Sequence, residues 1–178
     1  EIEMWCTAAR IRNRLSKCNM GLFGRPYGGM MDLCLDETKI FEKFGTFVHH
    51  LDWQEIIETG NSVRSDEIAK QVAMIDKILE VDDTVETHDI DLIGRTAAAL
   101  MTLSEKYNLH AYASHYEFEG STEHIDLVAA LNPAMTLVMT QGISSAPEGD
   151  VRAAMCMTIL RNIAGNAMIG ELYSLDFD

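Results

Sequence analysis

The stretch of sequence that decides the fold is residues 20–51, MGLFGRPYGGMMDLCLDETKIFEKFGTFVHHL. Its first residues, 20–23, are apolar and predict a short buried strand that ends at Gly24. Residues 24–29 are rich in glycine and contain a proline, so they predict a turn directly after that strand.

The second half of this stretch predicts a helix and another strand. Asp36 suits a helix N-cap, because its carboxylate can accept hydrogen bonds from the free backbone N–H groups of the first turn. The expected helix covers residues 37–44 and ends at Gly45, since glycine readily adopts the left-handed conformation at a helix end. Residues 46–51 then predict a second strand.

The same alternation of helix and strand continues along the rest of the chain. The spacing of apolar residues predicts helices over residues 3–15, 53–58, 65–79, 92–103, 123–131 and 148–163. Further strands are predicted over residues 110–116 and 167–177, with a buried apolar segment over residues 135–140. This order predicts an α/β fold, with a mainly parallel sheet flanked by helices on both faces, formed by one domain over residues 1–178.

The loops that follow the predicted strands are the candidate walls of a functional site. Ligands of parallel sheets usually bind at the carboxyl ends of the strands. The relevant loops are residues 24–31, 115–121 and 142–148, and we expect the first and the last of them at the same end of the sheet. In the middle loop, His115 with Glu117 and Glu119 predicts either a polar group that faces a ligand or a strand end in solvent.

Charge and composition limit the partners that the protein can have. The chain has 178 residues, of which 47% are hydrophobic and 24% charged, as is typical of a soluble globular domain. Its formal net charge is −14, with Lys and Arg scattered and outnumbered, which disfavours nucleic acid as a partner. The apolar runs are far shorter than the ~20 residues that a membrane span needs, so we expect no membrane partner.

The four cysteines and the two chain ends indicate where the protein resides and how it is delimited. The cysteines form no C-x-x-C pair and predict small buried side chains in a reducing compartment, which is a cytoplasmic location. The chain begins at Glu1 without a basic and apolar signal segment, and it stops within the predicted strand over residues 167–177. We therefore expect a central portion of a longer protein, cut at both ends.

Two carboxylates near the end of the chain suggest a metal site. Glu148 lies at the start of a predicted apolar helix, and Glu171 follows an apolar run, so each lies where a carboxylate costs free energy unless it is paired or binds a cation. The alternative is that Glu148 only favours a helix N-terminus while Glu171 points to solvent from an edge strand. The spacing of the two residues leaves both interpretations open.

Several short motifs, taken in order along the chain, resemble the central part of the L-arabinose isomerases and the related L-fucose isomerases. They are Trp5-Cys6-Thr7-Ala8-Ala9, Gly21-Leu22-Phe23-Gly24, Met30, Phe44-Gly45, Gln141-Gly142, Glu148-Gly149-Asp150 and Glu171-Leu172-Tyr173. The most specific pair is the Glu-Gly-Asp motif followed by the Gly-Glu-x-Tyr motif, which resemble the regions of the two metal-binding glutamates of that family.

The resemblance implies a metal-dependent aldose–ketose isomerase that acts on a sugar through an enediolate. It implies that Glu148 and Glu171 bind a divalent cation, usually Mn²⁺, and also transfer the proton between C1 and C2. It assigns Asp150 to orienting the site and Met30 to approaching the substrate, with Tyr116 or Phe118 as an aromatic wall. The family completes its metal shell with two histidines beyond the second glutamate, whereas this chain ends at Asp178.

The identity of the sugar and the activity itself have alternatives. The loop over residues 24–32 lacks the Gly-Asp-Asn-Met-Arg sequence of the arabinose members and is closer to the fucose-type pattern, so the resemblance leaves the sugar open. It also implies a homo-oligomer. The competing interpretation is a non-catalytic α/β module that binds sugar or mediates oligomerisation.

Overall fold

Helices and strands alternate along the part of the chain that the structure describes. The computed structural model describes residues 1–115 and 122–170, with the backbone alone for 122–124. Its helices are α1 (Ile2–Leu15), α2 (Glu37–Phe44), α3 (Trp53–Ser62), α4 (Ser65–Ile78), α5 (Thr87–Tyr107), α6 (Thr122–Thr140) and α7 (Val151–Ala164). Its strands are β1 (Asn19–Phe23), β2 (Phe47–Leu51), β3 (Leu109–Ser114) and β4 (Ser144–Ala146). A 3-10 turn over Met31–Leu33 lies between β1 and α2.

The four strands form one parallel sheet in the order β2-β1-β3-β4. β1 lies at the centre, where Phe23 at its carboxyl end is in register with Leu51 of β2 and Ser114 of β3. The register between β1 and β3 shifts once, between Asn19 and Met20. The α/β fold with a parallel sheet, predicted from the sequence, is therefore confirmed.

Helices cover both faces of this sheet, because alternate residues of each strand point to opposite faces. Met20 and Leu22 of β1 belong to a core that also contains residues of α1, α2 and α7. Phe23 of the same strand and Tyr112 of β3 belong to a second core, built with α3, α4, α5 and α6. The protein thus has three layers, with three helices on one face of the sheet and four on the other.

Tyr112 anchors the core of the four-helix face. Its ring lies over Gly21 of β1, where an added Cβ would come within 2.9 Å of the Tyr112 ring. Its hydroxyl donates to the Leu100 carbonyl at 2.5 Å and lies 2.7 Å from the Ser104 hydroxyl, so the polar end of this buried ring is satisfied within α5. Burial also raises the pKa of Tyr112 above its usual value.

The local signals around α2 behave as the sequence predicts. The Asp36 carboxylate accepts a hydrogen bond from the Lys39 N–H at 3.2 Å, and this contact starts the helix. Gly45 ends the helix with a φ of +75°. β2 follows at Phe47, within one residue of the predicted start.

Two predicted boundaries in the second half of the chain are wrong, namely the end of the helix expected at residue 131 and the start of the strand expected at residue 167. The apolar segment over residues 135–140 is buried as predicted, at Met135, Leu137 and Val138, but it belongs to α6, which runs without interruption through Pro133 to Thr140. The fourth strand is instead Ser144–Ala146, which has only three residues. Residues 167–170 form no strand, and the rest of the predicted last strand, residues 171–177, lies outside the described part of the chain.

The cysteines also differ from the prediction that all four are buried. Cys18 is buried in the core of the three-helix face, directly before β1. Cys6, Cys34 and Cys156 are exposed. The reason is that Cys6 and Cys156 lie on the outer sides of α1 and α7, and Cys34 lies in the loop before α2, so none of the three faces the sheet.

Candidate functional site

The topology places a switch point, where open parallel sheets usually have a ligand crevice, at the carboxyl ends of β1 and β3. The chain leaves β1 toward α2, which packs on the three-helix face. It leaves β3 toward α6, which packs on the opposite face. Neighbouring strands whose connections diverge in this way leave a gap above the sheet, and this is where ligands of open parallel sheets bind.

The loop after β1 and the turn after β4 meet at this crevice. The Tyr27 N–H donates to the Glu148 carbonyl at 2.9 Å. The Gly149 N–H donates to the carbonyl of Ser114, the last residue of β3, also at 2.9 Å. These two backbone hydrogen bonds fix Glu148 beside the carboxyl ends of β3 and β4.

Gly149 allows the two loops to approach this closely. A Cβ at this position would lie 2.8 Å from Pro26 Cα and 2.9 Å from the Arg25 carbonyl oxygen, and both of these atoms belong to the backbone. Its φ of +71° also lies in the left-handed region that favours glycine. The glycine of the Glu-Gly-Asp motif is therefore required by geometry as well as by conformation.

Glu148 itself adopts an uncommon backbone conformation. Its φ is +61°, and among the described residues the only other non-glycine with positive φ is Asn108, at the end of α5. Asparagine tolerates this region, whereas a glutamate held there pays about 1–2 kcal/mol. Such strain in a non-glycine residue is typical of functional sites, where the surroundings impose the conformation.

The Glu148 carboxylate is available for a ligand. Within the described part of the chain it accepts no hydrogen bond and forms no ion pair. The side chain is partly buried, so it is neither free in bulk water nor closed inside the core. A carboxylate in this setting can bind a cation or exchange a proton with a substrate.

Tyr27 and His115 form an aromatic wall beside Glu148. Their rings stack with centroids 4.8 Å apart and an angle of 27° between the planes. His115 follows β3 directly and is only 3% exposed, so the interpretation of this histidine as a strand end in solvent is wrong. Glu117 and Glu119 lie outside the described residues. Tyr27 was not predicted as a site residue, although its place in the Gly-rich loop was a usable signal.

Asp150 has a structural role at the start of α7. Its carboxylate accepts hydrogen bonds from the N–H groups of Arg152, at 2.9 Å, and Ala153, at 3.0 Å. The Arg152 guanidinium also donates to the Asp32 carbonyl, which ties the loop after β1 to the same helix end. Asp150 thus holds the turn that presents Glu148, and its carboxylate faces the helix as an N-cap.

Met30 lies in the loop after β1, where its N–H donates to the Tyr27 carbonyl at 3.2 Å. Its side chain is 40% exposed. Glu171, Tyr116 and Phe118, which the sequence analysis also selected, lie outside the described residues, so the predicted convergence of Glu148 and Glu171 stays a prediction.

One prediction about the loops needs correction. The sequence predicts that residues 24–31 and 142–148 lie together at one end of the sheet. β4 divides the second of these segments, so Gly142 and Ile143 precede the strand at its amino end. Only Pro147 and Glu148 lie at the carboxyl end with residues 24–31. The division was not predictable because Ser-Ser-Ala carries no strand signal of its own.

The described residues provide only part of the ligands that a metal ion would need. Within residues 1–115 and 125–170, no three His, Cys, Asp or Glu side chains are grouped so that they could hold a metal ion. Glu148 contributes one carboxylate, which is the ligand type that Mg²⁺, Ca²⁺ and Mn²⁺ prefer. The site therefore suits an oxygen-preferring cation, provided that further ligands come from elsewhere.

Comparisons with known proteins give no family for this chain. No protein-family model matches it, and no curated protein matches it significantly. Among the described helices, none is both long enough and apolar enough to cross a membrane.

Proposed function

We propose that the protein is, or belongs to, a metal-dependent aldose–ketose isomerase of the arabinose and fucose type. The observation that carries the proposal is the placement of Glu148. Its backbone is held in the left-handed conformation, its carboxylate is not engaged by the described residues, and it lies at the crevice where open parallel sheets bind ligands. The resemblance of the Glu-Gly-Asp motif to that of the family supports the same residue.

In this proposal Glu148 and Glu171 hold a Mn²⁺ ion. When bound, the ion would polarise the sugar carbonyl and favour loss of the neighbouring proton. Glu148 and Glu171 move a proton between C2 and C1 of the sugar, a task that suits carboxylates within reach of both carbons. Asp150 acts by holding the turn, since it fixes the first N–H groups of α7.

The loop after β1 supplies the substrate wall. Tyr27 stacks on His115 and gives the crevice a flat aromatic side, against which the C–H face of a sugar can pack. Met30 lies three residues further along the same loop and is exposed enough to contact a substrate. The proposal includes Tyr116 or Phe118 as a further wall, a homo-oligomeric assembly and a cytoplasmic location.

Isomerase activity with Mn²⁺ tests this function. The full-length polypeptide would be incubated with L-arabinose or L-fucose in D₂O, and NMR would follow both ketose formation and the exchange of the C2 hydrogen. Glu148→Gln keeps the shape of the side chain but removes its charge and its ability to accept a proton. We expect at least a ~1000-fold loss of turnover in this variant, as is typical when a proton-transferring group is removed.

Glu105→Gln serves as the matched control, because Glu105 is an exposed glutamate on α5 and has no side-chain partner among the described residues. It should retain wild-type turnover. Full activity of Glu148→Gln would overturn the assignment of this residue. Saturable sugar binding without metal dependence and without hydrogen exchange would instead support the non-catalytic module.

A further inference from the structure

The described structure has a cavity at the end of the sheet opposite to Glu148, at the amino ends of β3 and β4. Its volume is about 520 Å³, which suits a small metabolite. α1 and α7 both end beside it, and Gly142 and Ser144 line the side from which β4 starts. The cavity is therefore separated from Glu148 by the length of the strands.

The lining of this cavity is basic although the protein is acidic. Arg14, Lys17, Arg161 and His110 line it, and none of the described residues in its lining is an aspartate or glutamate. The chain as a whole carries a formal net charge of −14 with only 14 lysines and arginines. A cleft lined by one sign of charge in a protein of the other sign concentrates a ligand of complementary charge.

These cations are not used in ion pairs. Elsewhere in the described structure Lys39, Lys70, Arg95 and Lys106 each pair with a carboxylate. Arg14, Lys17 and Arg161 form no ion pair with any described residue. Their charges are therefore available to a ligand.

Hydrogen bonds hold Arg14 and Arg161 in place but use only some of their N–H donors. Arg161 donates one bond to the Met139 carbonyl at 2.8 Å, and Arg14 donates to the Asn162 side chain. Each guanidinium carries five N–H groups, so most of the donors of both residues remain available. Fixed guanidinium groups with spare donors match the oxygens of a phosphate group.

The carboxyl ends of α1 and α7 do not account for this cluster. Positive charge is favoured at a helix carboxyl end, which explains Arg14 in the last turn of α1 and Arg161 in the last turn of α7. It does not explain why Lys17 and His110, which lie outside both helices, line the same cavity. The side chain of Asn13 adds an amide group that suits hydroxyl oxygens, whereas those of Asn162 and Thr158 already form hydrogen bonds within the protein.

We propose that this cavity binds a small phosphorylated metabolite, whose phosphate lies among Arg14, Lys17 and Arg161 and whose hydroxyl groups lie against the polar residues. The site is distinct from the proposed isomerase site and does not depend on it. The cavity lies beside the end of α7, and Asp150 caps the start of the same helix at the opposite end of the sheet. A ligand bound in the cavity therefore contacts the helix that begins beside Glu148.

Binding of ribose 5-phosphate tests the site. Calorimetric titration of the full-length protein without Mn²⁺ should give saturable binding with a Kd below about 1 mM. Lys17→Met should weaken binding at least ~10-fold, because it removes one charged contact to the phosphate. Lys77→Met is the matched control, since Lys77 is an exposed lysine near the end of α4, far from the cavity lining, and it should bind as the wild type does.

Three further measurements test whether the phosphate group is recognised and whether the ligand binds in this cavity. Ribose without the phosphate should bind at least ~10-fold more weakly, and added inorganic phosphate should compete with ribose 5-phosphate. Glu148→Gln should leave the affinity unchanged, whereas loss of binding in that variant would place the ligand at the other edge and overturn the proposal. Equal weakening by Lys17→Met and Lys77→Met would also overturn it, because binding would then depend on net charge alone.

Discussion

The two ends of α7 differ in how they are built. At its start, Gly149 packs against the backbone of Pro26, and Asp150 caps the helix with two hydrogen bonds. At its end, Gly165 also has a positive φ, of +82°, but an added Cβ there would meet nothing within 4 Å. The first end is closed by backbone contacts, whereas the second end opens into a cavity lined by side chains.

This difference shows how the two ends of one helix can contribute to two kinds of surface. Backbone contacts at the start of α7 hold Glu148 in a single strained conformation, which is what precise positioning of a reactive group requires. The end of α7 is held less tightly and presents charged side chains instead. We expect substitutions at the start to change stability, and substitutions at the end to change mainly ligand binding.

The largest contrast is expected between two glycine substitutions. Gly149→Ala must accommodate a Cβ 2.8 Å from Pro26 Cα and an unfavourable φ, so it should lose about 3 kcal/mol of unfolding free energy. Gly165→Ala has only the unfavourable φ and should lose about 1 kcal/mol. Urea unfolding of both variants measures the difference, and equal losses would contradict the account of a closed and an open end.

The N-cap of α7 should give a smaller loss. Asp150→Ala removes the acceptor for the Arg152 and Ala153 N–H groups and should cost about 1 kcal/mol. Asp150→Asn keeps an acceptor oxygen and is the matched control, with an expected change below about 0.5 kcal/mol. If urea unfolding gives the same loss for both variants, the charge of Asp150 matters more than its capping bonds.

A pH dependence is expected from Cys18, which lines the cavity at the other end. Burial raises the pKa of this thiol to about 12, and the residue is only 2% exposed. The unfolded chain loses this proton near pH 9 while the folded chain keeps it, so the group stabilises the fold below pH 9 and that stability falls as pH rises. From pH 9 to pH 10 the loss should be about 1 kcal/mol.

Comparison with two variants isolates the contribution of Cys18 from other groups that titrate in this range. Unfolding free energies would be measured at both pH values for wild type, Cys18→Ala and Cys156→Ala, where Cys156 is an exposed cysteine on α7. The decrease with pH should be smaller by about 1 kcal/mol in Cys18→Ala alone. A decrease that is the same in all three proteins would show that Cys18 is not the source.

The smallest expected effect has the opposite sign. Glu148→Gly relieves the positive φ of +61° and should raise stability by roughly 0.5–1 kcal/mol, after the greater entropy of glycine in the unfolded chain is subtracted. Asn108→Gly, at the other non-glycine residue with positive φ, is the control and should gain less, since asparagine tolerates this conformation. A loss of stability in Glu148→Gly would indicate that the glutamate side chain stabilises the fold.

The sequence predicts the fold well where local signals are strong. Asp36 and Gly45 delimit α2 at the expected positions, and the apolar residues 20–23 form nearly all of β1. It fails around α6 and β4. The helix expected to end at residue 131 continues through Pro133 to Thr140, and the three small residues of β4 gain their strand conformation from pairing with β3. Tertiary contacts therefore override local preference there.

For the site, the sequence supplies residue types but not their surroundings. Glu148 could be selected from its motif, yet its positive φ and its contact with Tyr27 depend on loops that are distant in sequence. The cavity at the amino ends of β3 and β4 was missed for the same reason, since its basic residues come from α1, the loop before β1, β3 and α7 and look scattered along the chain. Charge counted along the sequence does not reveal charge gathered in space.

Binding of Mn²⁺ tests the central claim that the closed start of α7 presents Glu148 to a metal ion. Electron paramagnetic resonance would follow the titration of full-length wild type, Glu148→Gln and the control Glu105→Gln with MnCl₂. We expect saturable binding to the wild type and to Glu105→Gln, and at least ~10-fold weaker binding to Glu148→Gln, because a carboxylate ligand is lost. Equal affinity in all three proteins would contradict the claim.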